Sequence, residues 1–201
     1  MKTLLLCALA SLVSGCALAS KGDPLSVRLY DPEQVKPKLT AATSAAATAD
    51  APALELGRVT SGFHLREKIL HRDATHELGA YDERRWTERP ENYVRRELAR
   101  TLFEEGGFRR VLVGTAPTLD VEVVTFEELR LANNHGARIQ LRIVLHDGRD
   151  VLLEETVGVD KTADESFDGF VVAMAQALDE VAAEVKKRVE ERMKHVSSSS
   201  R

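Results

Sequence analysis

Residues 137–145 place the tightest limit on how this chain can fold. Ala137, Ile139, Leu141, Ile143 and Leu145 alternate strictly with Arg138, Gln140 and Arg142. Only an extended strand, whose successive side chains point to opposite faces, separates apolar from charged residues in this way. Asp147-Gly148 marks a turn, and Val151, Leu153, Val157 and Val159 resume the pattern on odd positions. Register then selects the loop. A two-residue Asp147-Gly148 turn would set Leu141 across from Glu154 and mix the faces. A three-residue loop of His146, Asp147 and a left-handed Gly148 pairs odd with odd, and is preferred. The even face is polar, so it meets water or another subunit rather than a helix.

Two amphipathic helices complement this hairpin. Pro90 suits a first helical turn, where its missing N–H costs nothing. Val94, Leu98 and Leu102 follow at fourfold spacing, flanked by Tyr93 and Phe103, and Gly106-Gly107 stops the helix. The last helix is capped by Asp164 or Ser166 and runs to about His195. Phe167, Phe170, Val171, Met174, Leu178, Val181, Val185 and Val189 form its apolar stripe. Lys186, Lys187 and Arg188 lie near its C-terminal end, which favours positive charge, and its final turns extend past the sheet. Shorter strands are expected at 25–30, at Leu54 and Leu56 as far as 60–62, in a hairpin of 68–71 with 76–80, and at 109–114 and 119–131. The fold class is α/β of the α+β kind: a small mixed, largely antiparallel sheet with two long helices.

The N-terminus reads as an export signal. Met1-Lys2 is followed by an apolar run over 3–13 and by Ser14-Gly15-Cys16. The run is too short to span a bilayer. Removing residues 1–15 takes one lysine and no acid, leaving 27 basic against 32 acidic residues, a net charge of −5. That balance argues against a nucleic-acid partner, which needs a basic stripe. Cys7 leaves with the signal, so Cys16 has no disulfide partner and the body rests on its apolar core. The expected layout is a signal peptide over 1–15, a lipidated N-terminus with a short strand and an Ala/Pro-rich linker over 16–53, one domain over 54–196, and a disordered tail over 197–201.

The residues before Cys16 resemble the lipobox of bacterial lipoproteins. That likeness implies fatty acids, palmitate among them, on Cys16. Ala17 is not the aspartate that retains many such proteins at the inner membrane, so the likeness points to the periplasmic face of the outer membrane. Several acyl chains hold a protein stably where one does not. Tyr81-Asp82-Glu83-Arg84-Arg85-Trp86-Thr87-Glu88-Arg89-Pro90, leading into a helix, then four strands and a long terminal helix, resembles the ABC-type transport auxiliary lipoprotein component family. Tyr81, Arg85, Trp86, Glu88 and Pro90 match its pattern, while Thr87 and Arg89 replace its usual alanine and proline. Leu29-Tyr30-Asp31-Pro32 resembles the family's opening strand less closely.

The resemblance implies a fold similar to the N-terminal domain of TolB and a non-enzymatic part of a lipid pathway across the envelope. Its partners would be an MCE (mammalian cell entry) protein and an inner-membrane ABC transporter, with phospholipid or another lipid as cargo. By family position Tyr81, Arg85, Trp86 and Glu88 are candidates for partner binding. Trp86 also reads as a core residue, and that reading is favoured. The alternative function is an outer-membrane lipoprotein that regulates a cell-wall synthase. Homo-oligomers are a further expectation, motivated by the polar hairpin face.

No catalytic residue, cofactor or metal site is expected. The six histidines form no His-x-x-x-His pair, although His71 and His76 flank a turn and could approach each other. No Gly-x-Ser-x-Gly elbow or phosphate loop appears. The acidic pairs Glu104-Glu105, Glu127-Glu128 and Glu154-Glu155 read as solvating charge, because adjacent residues on a strand point to opposite faces.

Overall fold

The computed structural model describes residues 26–35, 51–74, 76–112, 115–131 and 134–199. In chain order these form β1 (Arg28–Tyr30), a 3-10 turn (Pro32–Val35), β2 (Ala53–Ser61), β3 (Lys68–Ala74), β4 (Glu77–Trp86), α1 (Pro90–Ala99), β5 (Arg109–Arg110), β6 (Thr118–Leu131), β7 (Asn134–Asp147), β8 (Asp150–Thr162) and α2 (Phe167–Ser199). Strand β6 is the axis of one eight-stranded sheet. Along one flank it pairs antiparallel with β7, and β7 pairs antiparallel with β8. The other flank is shared. Strand β2 lies parallel to residues 118–123, and β3 lies parallel to residues 127–129. The two run end to end, interrupted by an excursion over 62–67. Beyond β3 come β4 and then β1; beyond β2 comes β5. The mixed, largely antiparallel sheet with two helices is therefore observed.

Odd positions of β7 from Ala137 to Leu145 are buried, and so is the stripe of α2 from Phe170 to Val189, in one apolar cluster with α1. Ala173, Ala175, Ala177 and Ala182 are buried beside that stripe. Small side chains there let a long helix lie close to the strands. Ser166 settles the choice of cap. Its Oγ accepts from the Gly169 N–H at 2.9 Å, while Asp164 braces the Ser166 N–H at 2.8 Å. Helix α2 continues to Ser199, past the expected end near His195 and into the segment read as a tail.

The hairpin register keeps odd opposite odd, with Leu141 across from Val157 and Ile139 across from Val159. It reaches that pairing by a different route. Asp147 pairs with Asp150, so the loop is Gly148-Arg149, and an irregularity beside Leu145 and His146 restores the parity. Gly148 is left-handed as expected, at φ 58°. A bulge adds one residue to one strand and shifts which face its side chains meet. Strand β6 uses the same device between Val123 and Thr125. Before it Leu119, Val121 and Val123 point inward; after it Phe126 and Glu128 do.

Two other expectations need correction. Strand β5 has two residues instead of six, because it meets only the first two of β2. Further along β2, the Gly57 carbonyl accepts from the Arg95 guanidinium of α1 at 2.7 Å. The first helix ends by widening into a π turn (Arg100–Glu104), where the Glu105 N–H bonds the Arg100 carbonyl. Gly106 and Gly107, both at positive φ, then reverse the chain, and Lys186 of α2 donates to the Gly106 carbonyl.

Two glycines should respond differently to alanine. A Cβ at Gly136 would fall 1.8 Å from the Lys161 carbonyl oxygen, whereas one at Gly148 meets nothing within 4 Å. Gly148→Ala should cost about 1 kcal/mol, from left-handed strain alone. Gly136→Ala must move backbone and should cost about 3 kcal/mol or more. Chemical denaturation of both variants checks the order.

Candidate functional site

The segment from Tyr81 to Pro90 is held from every side. The Trp86 N–H donates to the Glu67 carbonyl at 2.7 Å, and the Thr87 N–H to the Tyr30 carbonyl at 2.9 Å. The Tyr93 hydroxyl bonds Thr87 Oγ1 at 2.6 Å and accepts from the Glu88 N–H at 3.0 Å. Trp86 itself is 1% exposed. Its ring lies 5.4 Å from that of Phe126, 5.8 Å from Phe170 and 6.3 Å from Tyr93, within the range of favourable aromatic pairs. As it lies, the side chain offers no surface to a partner; it is the core residue of the two readings.

Arg85 turns back on its own strand. Its guanidinium donates to the Tyr81 carbonyl at 2.7 Å and the Arg84 carbonyl at 2.8 Å. Between these residues β4 carries extra length, since the register jumps from Leu70 opposite Ala80 to Lys68 opposite Arg85. Arg85 thus closes a bulge. Glu88 meets Arg96 of α1 at 2.9 Å, and the same guanidinium holds Glu33 of the 3-10 turn at 3.0 Å. Burial alone would lower the pKa of Arg96; the hydrogen bonds it donates to Glu33 and Glu88 outweigh that and raise it. Arg96 in turn holds the Glu88 carboxyl below its usual range.

Tyr81 enters a polar cluster that the sequence reading missed. Its hydroxyl donates to Glu128 at 2.6 Å, and Glu128 also meets His135 Nε2 at 3.0 Å. Arg130 binds Asp73 through two bonds of 2.6 and 2.7 Å and contacts His71 Nδ1 at 2.5 Å. Burial, then the neighbouring Glu128 carboxylate, pushes the Tyr81 hydroxyl up to about 12. Glu127, on the opposite face, meets Arg72 at 2.6 Å. Glu127 and Glu128 do point to opposite faces as expected, but at 3% and 2% exposure they are buried partners instead of solvating charge. The missed signal was the adjacent pair Glu127-Glu128, which must put one acid on the apolar face of its strand, followed on that face by Arg130.

His71 faces Arg130, while His76 lies exposed in the hairpin turn, so the structure does not bring the two together. Among the described residues no group of three His, Cys, Asp or Glu side chains could hold a metal ion. Cys16 lies outside the described residues. The four family-position residues therefore come together as a support: Trp86 in the core, Arg85 at a bulge, Glu88 in an ionic clamp and Tyr81 over a buried carboxylate.

A mixed sheet with two helices packed over one apolar core makes this an α+β domain, and the Tyr81–Pro90 segment braces that core. The chain belongs to the ABC-type transport auxiliary lipoprotein component family, whose model matches residues 36–186. It is also similar in fold to protein XCC0632 from Xanthomonas campestris, described as a member of family DUF330. That match has TM-score 0.67 at 16% identity, covering 85% of this chain and 99% of the other. An uncharacterized protein matches with TM-score 0.59 at 13% identity, covering 82% and 99%. The hypothetical protein CT253 from Chlamydia trachomatis matches with TM-score 0.50 at 8% identity, covering 70% and 96%. No curated protein matches the chain.

Trp86→Ala should cost about 3–5 kcal/mol of stability by removing a fully buried ring. Tyr81→Phe leaves a Glu128 acceptor unmet and should cost about 1–3 kcal/mol. Because the folded pKa of Tyr81 lies above its unfolded value, that contribution is complete below pH 10 and fades as pH rises toward 12. Denaturation midpoints of wild type and Tyr81→Phe across that window should converge.

Proposed function

We propose that this family member is an outer-membrane lipoprotein, anchored through acylated Cys16, that serves as the non-enzymatic docking end of an MCE-type lipid transport system driven by an ABC transporter. The reading rests on family membership together with one observation, the pairing of β1 with β4. Eleven residues lie between Cys16 and Arg28, a reach of at most about 40 Å even when extended. A body tied by so short a leader stays near its membrane. A regulator of a cell-wall synthase would use a long linker to reach outward. Here residues 36–50 connect two parts of one sheet instead of separating anchor from body.

The polar outer face of β7 and β8 supports a second element of the proposal, self-association into an assembly with a shared axis. Arg138 meets Asp160 at 2.6 Å, and Arg142 meets Glu154 across the same pair of strands. Such a face is charged yet already neutralised, so it can approach a second copy without stranding bare charge. Tyr81, Arg85, Trp86 and Glu88 contribute to docking by fixing the surface that surrounds them.

Mass spectrometry of native material should find residue 16 as the mature N-terminus with its sulfur and amine acylated. Cys16→Ser should move the protein from the membrane fraction to the soluble periplasm. In-cell cross-linking should capture an MCE-family partner; capture of a peptidoglycan synthase in its place would reverse the assignment. Light scattering that finds only monomer at tens of micromolar would remove the self-association element.

A further inference from the structure

A sheet edge carries a row of unpaired N–H and C=O groups, and folded proteins usually shorten, cover or guard it. Elsewhere on this sheet that is done. Strand β1 has 3 residues and β5 has 2, and on the open stretch of β2 the Gly57 carbonyl is taken by Arg95. Strand β8 differs. It has 13 residues and no proline, and among the described residues it pairs only with β7. From Leu153 to Thr162 its register runs without irregularity.

A groove of about 270 Å³ follows this edge, lined by residues 155–159 of β8 and by Glu180, Glu184 and Arg188 of α2. Consecutive residues on a strand face opposite ways, so only its backbone edge can present such a run to one space. Glu155 gives the groove its chemistry. It stands opposite Ile143 on the apolar face, where Val157 and Val159 follow it. One of its carboxylate oxygens, Oε1, is buried and accepts no hydrogen bond among the described residues. Arg188 Nε lies 3.7 Å from that oxygen, beyond hydrogen-bond range, and donates instead to Glu184 at 2.8 Å. Glu154 and Asp160, by contrast, point to the outer face and meet Arg142 and Arg138. A buried acceptor left unmet costs stability, and an incoming donor would relieve that cost.

We propose that the β8 edge takes an extended segment of another protein as an added strand, with a lysine or arginine of that segment opposite Glu155. Main-chain hydrogen bonds supply the affinity in strand addition, and alternate side chains supply the selectivity. The basic side chain would enter beside Val157 and donate to the unmet oxygen. An inward-pointing charge at an edge also turns away strands that are apolar or acidic at that position. A second copy of this chain fits poorly. The only base on its β8 is Lys161, which Glu180 already holds, and its β1 and β5 are too short to fill the run. The inference goes beyond the docking role proposed above and holds whichever protein the partner is.

Synthetic peptides that match the run in length and alternate valine with threonine test this on the mature chain carrying Cys16→Ser. One has lysine at its central inward position and a second has glutamate there. A third is the lysine peptide N-methylated on every amide, which removes its main-chain donors. The lysine peptide should bind about tenfold tighter than the glutamate peptide, as expected for opposite against like charges facing each other across paired strands. The N-methylated peptide should not bind. Hydrogen exchange should slow along β8 on addition of the lysine peptide and stay unchanged along β2. Glu155→Gln should bring the first two peptides level, and Glu155→Lys should invert their order; circular dichroism checks that both variants stay folded. Equal binding of the lysine and glutamate peptides to the unsubstituted edge would overturn the proposal. So would unchanged exchange along β8 at millimolar lysine peptide. Slowing along β8 that rises with protein concentration and needs no peptide would give the edge to a second copy and overturn it too. Failure to capture an MCE-family protein in cells would reverse the docking assignment and leave the peptide result standing, so the two failures are separable.

Discussion

Four rings from four elements meet at Trp86: its own at the end of β4, Tyr93 from α1, Phe126 from β6 and Phe170 from α2. A body without a disulfide needs such a meeting point, and each of these side chains buries on the order of 150–250 Å². The contact also carries polar order outward. Tyr93 stacks on Phe126 with its ring and holds Thr87 and Glu88 with its hydroxyl. The backbone of Trp86 fixes the excursion over 62–67, and that of Thr87 fixes the end of β1. The start of α1, the placement of β1 and the joint between β2 and β3 are thus consequences of one packing event.

Where α2 begins, the same face of the sheet changes from apolar to polar. The β6 bulge turns Glu128 inward at this end, and a buried carboxylate is tolerable only if its oxygens are met. Tyr81 meets one and His135 the other. Arg130, one position beyond on the same face, is then neutralised by Asp73, which it holds below the usual carboxylate range through their hydrogen bonds. Without the bulge Glu127 would point inward instead, and its partner Arg72 would be stranded on the wrong side. The register irregularity and the polar cluster therefore require each other.

Local periodicity carried the helices, the β7–β8 hairpin and its odd-to-odd parity, because each depends on residues close in sequence. The route to that parity was not legible. Gly148-Arg149 with an irregularity and a three-residue loop give the same alternation, and only backbone geometry separates them. The end-to-end seating of β2 and β3 along β6 was also hidden, since parallel pairing joins residues about sixty apart and leaves no local pattern. Trp86 was readable as core from its place before a helix start. Glu128 was not, because its acceptance inside depends on Tyr81 and His135, which no spacing rule links to it.

These relations bear on what the Tyr81–Pro90 stretch does in the fold. A three-residue strand at a sheet edge would fray on its own. Here β1 is fastened at its far end by the Thr87 N–H, by the Tyr30 ring 4.5 Å from Phe167, and by Glu33 through Arg96 to Glu88. On the anchored reading, any pull between membrane and body passes through β1 into this stretch. The bulge closed by Arg85, the buried Trp86 and the Glu88 clamp spread that pull into β4, α1 and the core. On that same reading, the segment would join tether to domain and set how the domain is held toward a partner without touching that partner itself.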